Sequence, residues 1–497
     1  MGSIRKKGII TTIIIYFGFL LGALNIFFYF KFFRADYVGL TRVLLDIAVL
    51  LSSFAMLGTN SIVTKFYPYY NGYHKQNKSE LLTIAFVFSG LACLFLLIIS
   101  PLTEPLIMRK FIVKAPLLVN YFYLVYPLTF ALVFFQVLEA QTWNVHKAQL
   151  SNFLKEVLFR IFNTVLILLF IANIINFHTY AILFSWQYAG IFVVLLLYLM
   201  YTKELNMSFK ISSLTRRLWK KMLPYAIFIL AGNIISMLSS TIDGIIISSF
   251  LGLDYAAVFM IATYIVSIIV VPQRTATSMT SPVISQAWKD KDMAKLGSVY
   301  HKTSLNLLIA ASFIFTGIWI NYDDVFRLVK PESIYLLSKP IVLVLGLCQI
   351  IEMGTGMNSA IIILSRRWKF ELYSNMILLL CTLPITYFLI KYFGMIGAAY
   401  ATLLSRTIFN AIRYVFLLKV YNLQPFTWKT GLAALLPVVV YLVVNFSVNL
   451  ANPLLNMAVR TILFVGLYAF LLIQLKVSED VQQVYGTIRK RVGNLFN

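Results

Sequence analysis

Six arginines lie within or beside stretches of sequence that are otherwise almost entirely apolar. They are Arg42, Arg160, Arg274, Arg406, Arg413 and Arg460. A guanidinium that faces lipid at mid-membrane costs about 3 kcal/mol on insertion scales, so such side chains normally face a protein interior or a hydrated cavity. The planar guanidinium can hold two phosphate oxygens at once. These residues therefore suggest a site that binds an anion inside a membrane.

Two of the arginines have an acidic residue one helical turn away. Arg42 precedes Asp46 by four residues, and Arg160 follows Glu156 by four. Residues at this spacing lie on one face of a helix, so each pair can form locally. The pairs could bind a substrate, or they could simply neutralise their own charges.

The other four arginines have no such local partner in our interpretation. Arg406 has no acidic residue within four positions, so its partner must come from another helix or from a substrate. Arg274 lies in the hydroxyl-rich segment VVPQRTATSMTSP, whose Pro272 leaves a backbone carbonyl unpaired. We expect Arg413 and Arg460, near the ends of apolar stretches, to extend to the membrane interface.

Three acidic residues in apolar stretches are candidates for coupling transport to Na⁺ or H⁺. Asp243 lies in SSTIDGIII, Glu352 lies beside two glycines that would let its helix bend, and Asp46 faces Arg42. A desolvated carboxylate can exchange a proton or bind a cation, although Asp243 could instead pair with an interior arginine. We expect no metal site, because the four histidines lack metal-ligand spacing.

The composition is that of a polytopic membrane protein. Of 497 residues, 60% are hydrophobic and only 12% are charged, against about a quarter charged in a soluble domain. A helical span needs roughly 20 apolar residues. Fourteen stretches qualify, at 9–30, 38–64, 80–100, 117–140, 151–172, 178–200, 222–248, 254–280, 302–322, 337–363, 369–391, 394–418, 430–447 and 455–475.

The net charge of +24 reflects membrane topology rather than nucleic-acid binding. With the amino terminus inside, the cytoplasmic segments carry 27 Lys and Arg residues and the opposite face carries 9. Positive residues concentrate in cytoplasmic loops, so both termini are predicted to be cytoplasmic. The segments between spans are too short to fold as soluble domains.

The sequence also contains a faint internal repeat. FFRADYVGL (32–40) and FLGLDYAAV (250–258) place an Asp-Tyr pair before equivalent helices, 218 residues apart. Each following helix ends in a proline-bearing segment, TKFYPYY (64–70) and TSPVISQ (280–286). This pattern predicts two parallel six-helix repeats with a cavity between them.

Two longer segments, LGTNSIVTKFYPYY (57–70) and YFGMIGAAYATLLSR (392–406), support a family resemblance. With the xDYxGL turn, they resemble bacterial polysaccharide flippases of the multidrug/oligosaccharidyl-lipid/polysaccharide exporter superfamily, which include O-antigen and capsule-unit flippases. The resemblance implies an all-α, V-shaped, alternating-access transporter with two lobes, 1–210 and 211–420, and two further helices in 421–497.

The resemblance also implies a function without catalysis. The expected activity is translocation of an undecaprenyl-pyrophosphate-linked oligosaccharide across the bacterial inner membrane, with Arg274, Arg406, Arg42 and Arg160 binding the substrate. We expect a monomer that contacts membrane lipids, functions with polysaccharide assembly proteins, binds no nucleic acid and needs no cofactor beyond a coupling Na⁺ or H⁺.

Two alternatives remain open from the sequence. A cation-coupled multidrug antiporter of the same superfamily would have a cavity dominated by carboxylates, which the arginine excess disfavours. An integral-membrane polymerase or acyltransferase would expose catalytic groups on an outer loop, yet the largest outer segments, 101–116 and 323–336, contain no histidine and no clear acid–base pair.

Overall fold

The computed structural model describes residues 2–73, 80–145, 147–205 and 207–493. Within these ranges the chain is helical with no β-strand, which confirms the predicted all-α membrane fold. Twelve helices of the described chain are long and apolar enough to cross a membrane, so the predicted count of fourteen is not confirmed. The first and fifth predicted spans make the difference.

Helix packing divides the chain into two units, Met1–Met260 and Ile261–Asn497. This division describes packing rather than sequence repetition. The predicted organisation into 1–210, 211–420 and 421–497 therefore stays a prediction.

In its described residues, the first unit has eleven α-helices and the beginning of a twelfth. The eleven are α1 (Gly2–Phe32), α2 (Ala35–Ala55), α3 (Thr59–Tyr73), α4 (Glu80–Met108), α5 (Pro116–Tyr121), α6 (Val125–Asn144), α7 (Ala148–Phe153), α8 (Phe159–Ile171), α9 (Phe177–Ser185), α10 (Gln187–Tyr201) and α11 (Ser213–Phe250). Helix α11 packs along α2 and α3. It thereby closes one side of the core of this unit.

The predicted span 38–64 is broken in the structure. Gly58 has φ +73°, a left-handed conformation that separates α2 from α3. A Cβ at this position would lie 2.7 Å from the carbonyl oxygen of Ala226 on α11. Glycine is therefore needed twice here, for its backbone conformation and for the close approach of α11.

The predicted fifth span, 151–172, contains one turn of π-helix at Leu154–Leu158 between α7 and α8. A π-turn inserts an extra residue and rotates the side chains that follow, and such turns are frequent at functional sites. Gly18 of α1 packs here, because a Cβ on it would lie 2.5 Å from the carbonyl oxygen of Glu156. The turn therefore fixes where the charged residues of this span lie against α1.

The second unit begins within α12 and continues to the carboxyl terminus. Its helices are α12 (Leu253–Ser267), α13 (Val271–Asp290), α14 (Met293–Val329), α15 (Ser338–Gly354), α16 (Asn358–Leu364), α17 (Lys369–Phe393), α18 (Met395–Tyr421), α19 (Trp428–Ser447), α20 (Pro453–Gln474) and α21 (Glu479–Gly493). The two Asp-Tyr pairs of the repeat both lie in first turns, those of α2 and α12. The repeat is thus matched by equivalent helix starts.

Arg460 ties the last membrane helices to the rest of this unit, and the prediction that it extends to the interface is wrong. Its Nη1 lies 3.6 Å from Oδ2 of the buried Asp324 on α14, and its Nε and Nη2 donate to the carbonyl oxygen of Val448 at 3.0 and 2.8 Å. Asn456 also donates to Asp324, at 2.6 Å. Arg460 is buried because an acidic residue of another helix compensates its charge.

Candidate functional site

Arg42 and Asp46 form the expected ion pair on α2. The Nε of Arg42 lies 2.7 Å from Oδ2 of Asp46, and the side chains are 27% and 6% exposed. The four-residue spacing places both on one face of the helix. The cation therefore keeps an accessible edge while the carboxylate is almost fully enclosed.

Helix α11 brings a second acidic residue to this pair. A Cβ at Gly244 would lie 2.5 Å from Oδ2 of Asp46 and 3.9 Å from Nε of Arg42, so the helix backbone rests against the pair. The neighbouring Asp243 is close enough for its carboxylate to repel that of Asp46. The structure thus brings Arg42, Asp46 and Asp243 together within the first unit.

Arg160 belongs to a different cluster. Its Nη2 lies 3.0 Å from Oε2 of Glu156, across the π-turn and one turn along the helix. Its backbone carbonyl accepts a hydrogen bond from Nδ2 of Asn25 on α1, at 3.0 Å. The buried Nη1 has no hydrogen-bond partner in the described part of the chain. Arg160 therefore lies between α8 and α1, and no described contact joins it to Arg42.

Arg406 finds its partner on another helix, as the sequence required. Its Nη1 donates to Oε2 of Glu352 on α15. The side chains are 42% and 26% exposed. The exposed apolar residues of α18, among them Leu404, Ile408 and Val415, lie on the opposite side of the helix. Arg406, predicted to bind substrate, and Glu352, predicted to couple ions, therefore form one half-exposed pair.

The polar face of α18 continues beyond Arg406. Asn410, one turn further on, accepts hydrogen bonds from Thr355 at 3.2 Å and from Asn358 at 3.1 Å. These two residues flank the break between α15 and α16, where Gly356 has φ +65°. The two-glycine segment therefore interrupts the helix beside Glu352; whether it acts as a hinge stays a prediction.

Arg413 lies at the end of the same face, and its predicted extension to the interface is wrong. Its Nε donates to Oε2 of Glu371 on α17 at 3.0 Å, and its Nη2 donates to Oε1. The side chains of Arg413 and Glu371 are 11% and 6% exposed. The guanidinium also lies 3.8 Å from the ring centroid of Phe409. Arg413 is thus a buried structural pair of the second unit.

Arg274 differs from the other predicted site residues. It is exposed on α13, three residues after the helix begins, and its side chain has no hydrogen bond or ion pair among the described residues. Thr277, one turn further on, contacts the sulfur of Met357 at 3.7 Å, next to the break at Gly356. Arg274 therefore presents an uncompensated cation near that break.

The structure adds a polar pocket that the sequence did not predict. Its volume is about 230 Å³, and it lies between α3, α6 and α11 in the first unit. The lining residues are Asn60, Ser61, Thr64, Lys65, Gln136, Glu139, Ala140, Trp143 and Tyr225. Gln136 within the apolar run ALVFFQVLEA was a signal for it in the sequence.

One lining residue reveals a further repeat between the units. The segments EAQT and EMGT begin at Glu139 and Glu352. In both, the threonine hydroxyl donates to the glutamate carbonyl oxygen at 2.7 Å. Each carboxylate also pairs with a base of another segment in its own unit, Lys155 at 3.5 Å and Arg406 respectively. Each unit thus has a glutamate–base pair at this short motif, although the bases come from different positions along the chain.

Comparison with known proteins identifies the family. The model of the family described as "Polysaccharide biosynthesis protein" matches residues 4–288, more than half of the chain. The chain belongs to this family. A second family model, MatE, matches residues 229–388. A search of curated proteins gives no match.

Solved structures share the fold of this polysaccharide biosynthesis family member. The lipid II flippase MurJ in an inward closed conformation is 15% identical, with 94% of this chain and 99% of that chain covered and a TM-score of 0.74. An inward-facing MATE-family multidrug resistance transporter is 16% identical, with coverage of 81% and 94% and a TM-score of 0.64.

A third structure is a MOP-superfamily transporter from Pyrococcus furiosus, described as having a binding pocket of reverse polarity. It is 15% identical, with coverage of 84% and 96% and a TM-score of 0.56. The chain thus belongs to a polysaccharide biosynthesis family and has the fold of these solved transporters. The family matches confirm the predicted family resemblance.

Proposed function

We propose that this protein is a flippase that carries an undecaprenyl-pyrophosphate-linked oligosaccharide across the bacterial inner membrane for surface polysaccharide synthesis. The observation that carries the proposal is Arg274, which is exposed at the last residue of the apolar span Leu253–Arg274 and has no hydrogen bond or ion pair among the described residues. A cation in this setting is costly unless an anion or water compensates it. Membership of a polysaccharide biosynthesis family supports a lipid-linked sugar as the source of that anion.

Arg406 would act with Arg274 on the diphosphate of the cargo. Its pair with Glu352 is half-exposed, so phosphate oxygens can reach the guanidinium and compete with the carboxylate. A guanidinium binds two phosphate oxygens with defined geometry, which suits a diphosphate. Arg42, with its accessible edge, and Arg160 are assigned as further substrate contacts.

The proposed energy source is a Na⁺ or H⁺ gradient. Asp46 and Asp243 are close enough to repel each other, and Asp46 pairs with Arg42. Neighbouring carboxylates bind a proton or a small cation more readily than an isolated one, because either relieves their repulsion. Glu352 is the proposed ion-coupling residue of the second unit, where cation binding would release Arg406 to the substrate.

The excess of Lys and Arg in alternate loops supports a protein with both termini in the cytoplasm. In the proposed function the cargo moves from the cytoplasmic leaflet to the outer leaflet. The proposed protein works as a monomer, with membrane lipids around it and polysaccharide assembly proteins beside it.

A cation-coupled multidrug antiporter is the second candidate. The MatE match over residues 229–388 favours it, because that match includes the carboxylates of Asp243 and Glu352. A cationic drug would be repelled by Arg274 and attracted to free carboxylates. The arginines therefore favour the flippase.

A complementation assay tests the proposal. Bacteria that lack one defined polysaccharide flippase would express this chain, and surface polysaccharide and the accumulated lipid-linked intermediate would be measured. Restored export with loss of the intermediate is expected from at least one member of a panel of such strains. Drug resistance without restored export in the whole panel would establish the antiporter instead.

A further inference from the structure

The polar pocket between α3, α6 and α11 contains the groups that proteins use to bind carbohydrates. We propose that it holds one sugar ring of the cargo, while the arginines bind the diphosphate. This inference rests on the proposed function and adds to it a separate subsite for the saccharide. No residue of the pocket belongs to the predicted substrate-binding or ion-coupling set.

Two amide side chains of the pocket are available for hydrogen bonds. In the part of the chain that the structure describes, the amide of Gln136 has no hydrogen-bond partner, and neither does Nδ2 of Asn60. Oδ1 of Asn60 accepts from the backbone of Ser61 at 2.7 Å, which fixes the orientation of the amide. A partly enclosed amide without a hydrogen bond costs free energy, so a polar ligand that bonds to both amides would be stabilised.

Aromatic rings provide the apolar surface that a sugar ring also requires. Trp143 is 50% exposed at the edge of the pocket. Tyr225 is partly buried, and the Nζ of Lys65 lies 3.6 Å from its ring centroid. One face of Tyr225 is thus occupied by a cation, which leaves the indole of Trp143 as the surface for the C–H groups of a sugar.

Glu139 adds an acceptor without making the pocket anionic. Its side chain is largely buried, and Oε1 lies 3.5 Å from Nζ of Lys155. A carboxylate has acceptor capacity for several donors, so a weak ion pair leaves room for sugar hydroxyls. Lys65 and Lys155 together exceed this carboxylate by a single positive charge, which is too little to hold a diphosphate.

The size of the pocket limits what it can hold. Sites for drug-sized ligands occupy about 300–1,000 Å³. At about 230 Å³, this pocket suits one ring rather than a chain of sugars. The remaining sugars of the cargo would lie outside it.

Saturation-transfer difference NMR on the purified full-length protein in detergent tests the inference. The probes are free glucose, galactose, rhamnose and N-acetylglucosamine, with inorganic pyrophosphate as competitor. We expect transfer to at least one sugar, a loss of at least fivefold in Gln136→Leu and Trp143→Leu, and recovery in Trp143→Phe. Trp186→Leu is the matched control, because Trp186 is similarly exposed (54%) but lies in a different pocket.

Several outcomes would overturn the inference. One is no transfer to any sugar. Another is transfer in both leucine variants equal to that in the unmodified protein, and the third is displacement of the sugar by pyrophosphate. The variants are first checked for unchanged thermal unfolding, and Trp143→Phe shows that loss of the ring, rather than misfolding, removes binding. Failure of the complementation assay would instead remove the flippase proposal, so the two results are distinguishable.

Discussion

Gly244 of α11 rests directly against the carboxylate of Asp46 on α2. A Cβ at Gly244 would lie 2.5 Å from Oδ2 of Asp46, closer than unbonded atoms approach each other. That same oxygen accepts the hydrogen bond from Arg42 at 2.7 Å. The ion pair and the packing of α11 are therefore coupled, and a change in one must alter the other.

Replacement of Gly244 by Ala should disturb both the Arg42–Asp46 ion pair and the packing of α11 against it. The added methyl group forces Asp46 away from Arg42, and an overpacked site of this kind costs about 1–3 kcal/mol. We expect a lower midpoint of thermal unfolding in detergent and reduced export. Gly232→Ala on the same helix is the control, because no outside atom lies within 4 Å of its Cβ position and the variant should behave as the unmodified protein. Equal effects of the two substitutions would contradict the coupling.

Charge reversal of Arg406 and Glu352 separates a structural pair from a substrate site. Arg406→Glu and Glu352→Arg each place like charges together, so each should lower stability and export. The double variant restores an ion pair and should recover the thermal midpoint. Export should stay lost, because the cation has moved to α15, where it meets the diphosphate in a different geometry. Recovery of export in the double variant would reduce Arg406 to a structural role.

Arg274 and Arg413 should respond in opposite ways to the same substitution. Arg413→Met leaves the buried Glu371 without its cation, which costs about 3–5 kcal/mol, so the amount of folded protein should fall. Arg274→Met removes an exposed side chain without a described partner and should change stability by about 0.5 kcal/mol or less. We expect this variant to lose polysaccharide export when export is compared at equal membrane abundance of the protein. Normal export by Arg274→Met would remove Arg274 from the site.

Asp243→Asn tests the proposed coupling to an ion gradient. The amide keeps the shape of the carboxylate but cannot take up a proton and binds Na⁺ weakly, so transport into vesicles should no longer respond to an imposed Na⁺ or H⁺ gradient. Asp323→Asn is the control, since Asp323 forms an exposed pair with Lys339 at 2.6 Å, and its gradient dependence should persist. A gradient response retained in Asp243→Asn would give that residue a structural role.

Much of the local structure could be predicted because it depends on neighbouring residues. The helical membrane fold follows from runs of about 20 apolar residues, and the Arg42–Asp46 pair follows from a four-residue spacing on one helix. Hydropathy could not show the break at Gly58, because its position depends on a positive φ and on the backbone of α11. Hydropathy also could not show the π-turn at Leu154–Leu158 within the predicted fifth span.

The sequence alone determined that apolar helices dominate this chain, that arginines and carboxylates lie among them, and that Arg406 needs a partner outside its own helix. Only the tertiary structure decided which groups neutralise one another. Glu352 is 54 residues from Arg406, Glu371 is 42 from Arg413, and the pocket draws on three helices. The physical reason is that charge compensation in an apolar medium depends on distance in space, which the spacing of residues along different helices does not determine.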